Sequence, residues 1–238
     1  HMMVSFTTNG SSSKEKMSQF LDADIIRVSI DGTEKFHDLR RQSDGAFNKA
    51  VDTLKYLRSK GKRPLITTVY MEDTPSEMIE ELVVLAKSLG VSISVNAMGR
   101  NLSDQDLSSD LQGEEGGEGI HSSYVGLMNK LRHKYGRVCS NPEPFLSVVK
   151  AGGLDVYGCR AMDVAISIKP DGSVWMPCTG LGKSKMKGDL REIYYGAEAE
   201  ELRGLQGRAP LCKGCNIRCM SSASSLLNVR GQLSLFDA

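Results

Sequence analysis

The sequence predicts an α/β protein, with parallel β/α units over residues 3–100 and a small cysteine-rich α+β domain over 121–238. Three observations predict it. Short β-branched runs alternate with segments of helical periodicity through the first hundred residues. An acidic, glycine-rich stretch at 101–120 then interrupts the pattern and reads as a flexible linker. Beyond it come a hairpin signature and a cysteine-rich tail with a C-x2-C knuckle.

The elements follow in order. Val4-Ser5-Phe6-Thr7-Thr8 is a short strand ending in the turn pair Asn9-Gly10. Ser12 and Glu15 have capping-box spacing, and Met17, Phe20 and Leu21 recur at helical intervals after them. Ile25 to Ile30 is the next strand, stopped by Asp31-Gly32. Phe47, Val51, Leu54 and Leu57 mark one helix face, with Gly61 as its stop. Pro64 to Tyr70 is a third strand. Thr74-Pro75-Ser76-Glu77 reads as a helix start with Thr74 as cap and Pro75 in the first position, and the helix runs from Met78 to Leu89 before Gly90. Val91 to Val95 is the fourth strand. Strands separated by helices imply parallel pairing through right-handed crossovers. Beyond the linker, Tyr124, Leu127, Met128 and Leu131 give one helix, Pro142 to Val149 another, and Ala197 to Leu205 a third. Val164 to Ile168 and Ser173 to Pro177 flank Lys169-Pro170-Asp171-Gly172 as a hairpin.

Composition narrows the function classes. The chain has 238 residues, with 30 Lys plus Arg against 29 Asp plus Glu, a net charge of +1. That balance offers no bulk electrostatic attraction for nucleic acid or an anionic membrane surface. No apolar run approaches the roughly 20 residues that span a bilayer. His1-Met2 reads as an expression scar, and no apolar signal segment follows it, so a cytoplasmic protein with reduced thiols is expected.

In parallel β/α folds, functional groups gather at the C-terminal ends of the strands. Here those ends carry Thr8-Asn9-Gly10, Ser29-Ile30-Asp31-Gly32, Thr67 to Met71 and Asn96-Ala97-Met98. The competing reading is that Asn-Gly and Asp-Gly serve only as turn formers.

The cysteines point to a metal. Cys212-Lys213-Gly214-Cys215 is a knuckle whose two thiolates can share one ion, and Cys219 follows it. Cys159 precedes the hairpin and Cys178 follows it. One hairpin and one loop can therefore gather Cys159, Cys178, Cys212, Cys215 and Cys219. Four thiolates satisfy zinc or an iron–sulfur cluster, and spacing does not choose between them. Cys139 lies apart and reads as a plain thiol. The four histidines form no ligand pair at metal-binding spacing.

These motifs resemble a family. Cys159-x12-Gly172-x5-Cys178, enclosing Ile168-Lys169-Pro170-Asp171-Gly172-Ser173-Val174-Trp175-Met176-Pro177, looks like the SPASM or twitch extension of radical S-adenosylmethionine (radical SAM) enzymes, and the Cys212, Cys215 and Cys219 group fits its distal part. Thr8-Asn9-Gly10 resembles the third strand end of the radical SAM barrel. Val28-Ser29-Ile30-Asp31-Gly32, with His37-Asp38-x-x-Arg41 after it, resembles the fourth strand and its following segment. The resemblance covers nearly the whole chain and implies the last four strands of a six-stranded barrel. It departs in two respects, the second being that the five candidate cysteines are too few for two clusters. The C-x3-C-x2-C that holds the family's catalytic cluster is absent, as is the Gly-Gly-Glu strand, so the chain begins at the third barrel strand, either as a shortened piece of an enzyme or as a shortened relative. On that basis the chain alone is not expected to generate a radical.

The resemblance implies reductive cleavage of S-adenosylmethionine and hydrogen abstraction from a peptide or small-molecule substrate, with electrons from a ferredoxin or flavodoxin. It places Ser29 and Asp31 near the ribose, Arg41 (or Arg40) on the carboxylate, and Asn9 and Thr67 at the pocket rim. It also implies one auxiliary 4Fe–4S cluster, because the candidate ligands are too few for two. Two alternatives stand beside it: a non-catalytic iron–sulfur electron-transfer or scaffold protein, and a zinc-stabilised interaction module. A truncated barrel also leaves a strand edge at residues 3–8, through which a homodimer is expected.

Overall fold

A computed structural model of the chain describes residues 3–71, 74–97, 118–168, 171–175, 188–209, 212, 213, 215 and 224. The chain divides into two units, His1–Ala97 with Gly126–Asn141, and Met98–Val125 with Pro142–Ala238.

The first unit is built on a sheet of four parallel strands, β1 (Ser5–Thr8), β2 (Ile25–Ser29), β3 (Leu65–Tyr70) and β4 (Ser92–Ala97), paired in chain order. Between them lie α1 (Lys14–Ser18), α2 (Glu34–Arg41), α3 (Ala46–Ser59) and α4 (Ser76–Leu89). Alternation along the strands sorts the side chains into two faces. Ile26, Val28, Ile30, Ile66, Thr68, Tyr70, Ile93, Val95 and Ala97 are all buried. Register places them on one face, with Val28 beside Ile66, Ile66 beside Ile93, and Thr68 beside Val95. The helices bury their own apolar stripes, Ala50, Val51, Leu54 and Leu57 of α3 and Ile79, Leu82, Val83 and Ala86 of α4. Each fully buried Leu or Ile contributes roughly 1.5–3 kcal/mol. The opposite face mixes polar residues, Thr7, Arg27, Ser29, Thr67, Ser94 and Asn96, with apolar Ile25, Leu65 and Val69.

Local chemistry explains several boundaries. The α1 cap is Ser13, not Ser12: its hydroxyl accepts from the Lys16 amide at 3.3 Å. Thr74 does not cap α4, which starts at Ser76 behind Pro75; the Thr74 hydroxyl instead accepts from the Met71 amide at 3.0 Å, closing the β3–α4 turn. Helix α3 begins at Gly45 without a cap from its own residues. Asp38 of α2 supplies it, accepting from the amides of Gly45 at 2.7 Å and Phe47 at 2.8 Å. Gly90 ends α4 in the left-handed conformation, as its sequence position predicts.

Residues 139–141 border β4. Cys139 bridges Ile93, the Ser140 amide donates to Ile93 at 2.8 Å, and the Asn141 carboxamide accepts from the Val95 amide at 2.9 Å while donating to the Val95 carbonyl. One side chain thus satisfies both backbone groups of Val95. Helix α5 (Glu118–Tyr135) leads to this segment through a short 3₁₀ turn, Gly136–Val138. Lys130, Lys134 and Tyr135 all reach Glu80 on α4, at 3.3, 2.6 and 2.9 Å.

In the second unit, α6 (Glu143–Lys150) and α7 (Leu154–Tyr157) are followed by α8 (Ala161–Val164). The antiparallel pair β5 (Ser167–Ile168) and β6 (Val174–Trp175) is the hairpin the sequence predicts, shortened at its start because Val164 ends a helix. Helices α9 (Leu190–Tyr195) and α10 (Ala197–Leu205) follow, joined by Arg203, whose guanidinium lies over the Tyr194 ring at 4.6 Å. No helix among the described residues is long and apolar enough to cross a membrane.

Candidate functional site

The sheet face that carries these polar residues and the strand ends above it form the candidate site. Ser29 and Thr67 are register partners on neighbouring strands, so the pleat sets them side by side. Asn96, one strand further, donates its carboxamide to the Thr67 hydroxyl at 3.2 Å. The ladder extends one residue past Ser29, with the Ile30 amide on the Thr67 carbonyl at 3.1 Å. It therefore carries Asp31 directly off the end of β2.

Asp31 meets both His37 and Arg41. Its amide donates to Nδ1 of His37 at 3.0 Å, and its carboxylate accepts from Nη2 of Arg41 at 3.1 Å on one oxygen, while the other lies 2.7 Å from Nε as an ion-pair contact without a hydrogen bond among the described residues. His37 is fully buried and meets the Phe47 ring edge-on at 6.2 Å. Its Nε2 is buried without a hydrogen-bond partner among the described residues. Burial disfavours the Asp31 anion, but His37 and Arg41 outweigh it, and the carboxyl stays below its ordinary value. The His-Asp-x-x-Arg segment is therefore a scaffold: the Asp31 amide is held by His37, Asp38 caps α3, and Arg41 faces Asp31. Of the two candidate arginines, Arg40 lies over the Phe36 ring at 5.9 Å and reaches the Met71 sulfur at 2.9 Å, without an acidic partner among the described residues.

Asn9 takes its turn-forming role. Its Oδ1 accepts from the Ser11 amide at 3.0 Å and the Ser11 hydroxyl at 2.7 Å. Gly10 beside it is buried at φ +77, and a Cβ there would stand 2.6 Å from the Ala50 backbone. The Gly10 carbonyl accepts from the Thr53 hydroxyl at 3.1 Å. This pair fixes the end of β1 on α3.

Of the predicted metal ligands, Cys159, Cys212 and Cys215 are described, whereas Cys178 and Cys219 lie outside the described residues. The Cys215 amide donates to the Cys212 carbonyl at 3.0 Å, the tight turn that a knuckle needs. Cys159 and Cys215 pack against the same buried cluster of Val148, Leu154, Tyr157 and Ala161, and the Leu154 amide donates to the Cys215 carbonyl at 2.7 Å. Gly207 approaches Cys159 so closely that a Cβ would sit 3.1 Å from the Cys159 Cβ. Among the described residues no group of three Cys, His, Asp or Glu side chains is arranged to hold a metal ion. Soft thiol donors on a knuckle and beside a common core fit thiolate coordination in kind. Cys139 differs from them: burial pushes its thiol up to about 11, the state of an inert structural cysteine.

No protein-family model matches the chain, and no curated protein matches it. Solved structures do. The chain is similar to SuiB of Streptococcus suis, with TM-score 0.60 and 15% identity over 96% of this chain and 58% of SuiB. SuiB bound to its precursor peptide SuiA matches with TM-score 0.55 and 16% identity over 95% of this chain and 56% of that one. Native anSMEcpe with bound AdoMet matches with TM-score 0.58 and 18% identity over 99% of this chain and 72% of that one. The chain thus spans a little over half the length of SuiB. The fold these matches define is a partial radical SAM barrel, an α/β architecture on a four-stranded parallel sheet.

Proposed function

We propose that this chain is the S-adenosylmethionine-binding part of a radical SAM enzyme that modifies a peptide, joined to a SPASM or twitch-type domain carrying one auxiliary 4Fe–4S cluster. The observation that carries the reading is the adjacency of Ser29 and Thr67 at the strand ends, with Asp31 and Arg41 directly beyond β2. Hydroxyls suit a ribose, and a guanidinium suits a carboxylate. The bound AdoMet of anSMEcpe and the bound peptide of SuiB support the choice of ligand and of substrate class.

When bound, the cofactors supply reductive C–S cleavage and hydrogen abstraction from the substrate. This chain's residues bind and orient. Ser29 and Thr67 present hydroxyls from neighbouring strands, Asn96 donates to the Thr67 hydroxyl, and Arg41 offers positive charge beside Asp31, beyond the end of β2. Asn9 shapes the rim through its turn. Cys159, Cys178, Cys212, Cys215 and Cys219 are the ligand candidates for the auxiliary cluster, which would receive electrons from a ferredoxin or flavodoxin. Strand β1, paired on one side only among the described residues, is the proposed contact of a homodimer.

The test is hydrogen exchange of the full chain with and without S-adenosylmethionine. Protection at residues 29–32, 41 and 67–70 is expected. Protection confined to other residues, or none at millimolar ligand, contradicts the reading.

A further inference from the structure

We infer that Gly207 is a positioning residue, which holds the Cys159 backbone against the end of α10 and so sets its separation from the Cys212–Cys215 knuckle. The inference rests on the reading of these cysteines as metal ligands for its purpose, and on the geometry of the second unit for the placement. Gly207 lies just beyond α10 at φ +73, a conformation that favours glycine. A Cβ there would stand 3.1 Å from the Cys159 Cβ and 3.4 Å from the Cys159 amide nitrogen. Two segments far apart in the chain thus meet where little more than a hydrogen atom fits. The neighbouring residue secures the same contact. The Gln206 carboxamide accepts from the Met162 amide at 2.9 Å, one of the first-turn donors that α8 leaves unsatisfied. The Ser224 hydroxyl, fully buried, accepts from the Arg160 amide at 2.8 Å. The backbone after Cys159 is therefore anchored at both Arg160 and Met162.

From Gly207 the chain reaches the knuckle through consecutive tight turns. The Ala209 amide donates to the Leu205 carbonyl at 3.0 Å, the Cys212 amide to the Ala209 carbonyl at 2.8 Å, and the Cys215 amide to the Cys212 carbonyl at 3.0 Å. The return path is as short. The Leu154 amide donates to the Cys215 carbonyl at 2.7 Å, and the Gly158 amide, next to Cys159, donates to the Leu154 carbonyl at 2.8 Å. The approach of Gly207 to Cys159 closes this circuit, and Cys159 and Cys215 pack on the same buried cluster of Val148, Leu154, Tyr157 and Ala161. The described cysteines do not by themselves surround a metal ion. What Gly207 fixes is the spacing of the backbones that carry them. A methyl group at Gly207 makes Cys159 give way by a few tenths of an ångström. Metal–ligand distances tolerate about 0.2 Å. The displacement is therefore small for the fold and large for coordination.

The experiment titrates Co²⁺ into the metal-free full chain and its Gly207→Ala, Gly207→Asn and Gly45→Ala variants. Each thiolate that binds cobalt adds to a charge-transfer band, so the band reports the ligands directly. Gly45 has the same φ, +73, with nothing within 4 Å of a Cβ, so its variant carries the backbone strain without a contact. Asn tolerates positive φ better than Ala but also carries a Cβ, so Gly207→Asn keeps the contact with less strain. Both Gly207 variants are expected to bind Co²⁺ about 10–100-fold more weakly, with a smaller band per cobalt, as when a group that orients a ligand is lost. Gly45→Ala is expected to match the parent. In the metal-free chains, hydrogen exchange at the Leu154 amide is expected to accelerate in the Gly207 variants only. If Gly207→Ala does not fold, Gly207→Asn carries the comparison. Parent-like affinity and band in either folded Gly207 variant, or an equal loss in Gly45→Ala, overturns the positioning role. Failure of both Gly207 variants to fold beside a folded Gly45→Ala also overturns it, because Gly207 then serves folding and not the cysteines. Absence of the band in the parent chain overturns the ligand reading itself, and an exchange difference that persists there is a packing effect alone.

Discussion

Replacing Gly10 by alanine should cost this protein about 3 kcal/mol. Gly10 sits at φ +77, where an L-residue pays roughly 1–2 kcal/mol. A Cβ at that position would lie 2.6 Å from the Ala50 Cα and 3.1 Å from the Ala50 amide nitrogen, both backbone atoms of α3 that no rotamer change can move. Forcing the helix away costs a further roughly 1–3 kcal/mol. It also strains the bond between the Gly10 carbonyl and the buried Thr53 hydroxyl. Gly45 provides the control. It has nearly the same φ, +73, and nothing lies within 4 Å of a Cβ built there. Gly45→Ala therefore isolates the backbone term at about 1 kcal/mol. Thermal unfolding followed by far-ultraviolet circular dichroism should show a midpoint about 6–12 °C lower for Gly10→Ala, and clearly less for Gly45→Ala. Hydrogen exchange should localise the loss to β1 and α3. Equal midpoints for the two variants would refute the close approach of the strand end to α3, and with it the placement of the Asn9 rim.

Three further outcomes follow from the same geometry. Hydrogen bonds from Lys134, Tyr135 and Lys130 hold the Glu80 carboxyl at about 2, below its ordinary value. A depressed carboxyl stabilises the folded state fully above the unfolded value of about 4.3 and progressively less as pH falls toward about 2. Carbon-13 NMR should place the Glu80 midpoint there, and a midpoint near 4.3 would contradict the network. Asn141→Ala leaves the Val95 amide and carbonyl without their carboxamide partner and should cost about 2–3 kcal/mol, with exchange at Val95 accelerated; an unchanged Val95 rate would contradict it. Sedimentation velocity at rising concentration should show a dimer through β1, and a clean monomer throughout would count against that contact.

The strands and most helices were legible because their signals are local. Ile26, Val28 and Ile30, or Val51, Leu54 and Leu57, announce a buried face by spacing alone. Helix α2 was not legible. The residue it buries is His37, its Leu39 is 77% exposed, and hydrophobic periodicity therefore has nothing to register. The capping of α3 by Asp38 and the pairing of Asn141 with Val95 join residues whose partnership only the folded chain creates. In the site, the strand-end positions of Ser29 and Thr67 could be read from the order of elements, whereas the pairing of Asp31 with Arg41 could not. A ten-residue separation across a turn and a helix has no spacing rule that sets two charges at 2.7 Å. Asn9, by contrast, satisfies the turn chemistry that any Asn-Gly pair suggests. Among the cysteines, the tight turn joining Cys212 to Cys215 is the local part of the spacing that the structure describes.

The most direct test of the proposed function is to purify the full chain anaerobically and quantify iron, zinc and acid-labile sulfide on one sample. About four irons and four sulfides per chain, with brown colour, are predicted for a single thiolate-held 4Fe–4S cluster. One zinc without sulfide or visible absorption would contradict the redox role and leave the cysteines as a structural site.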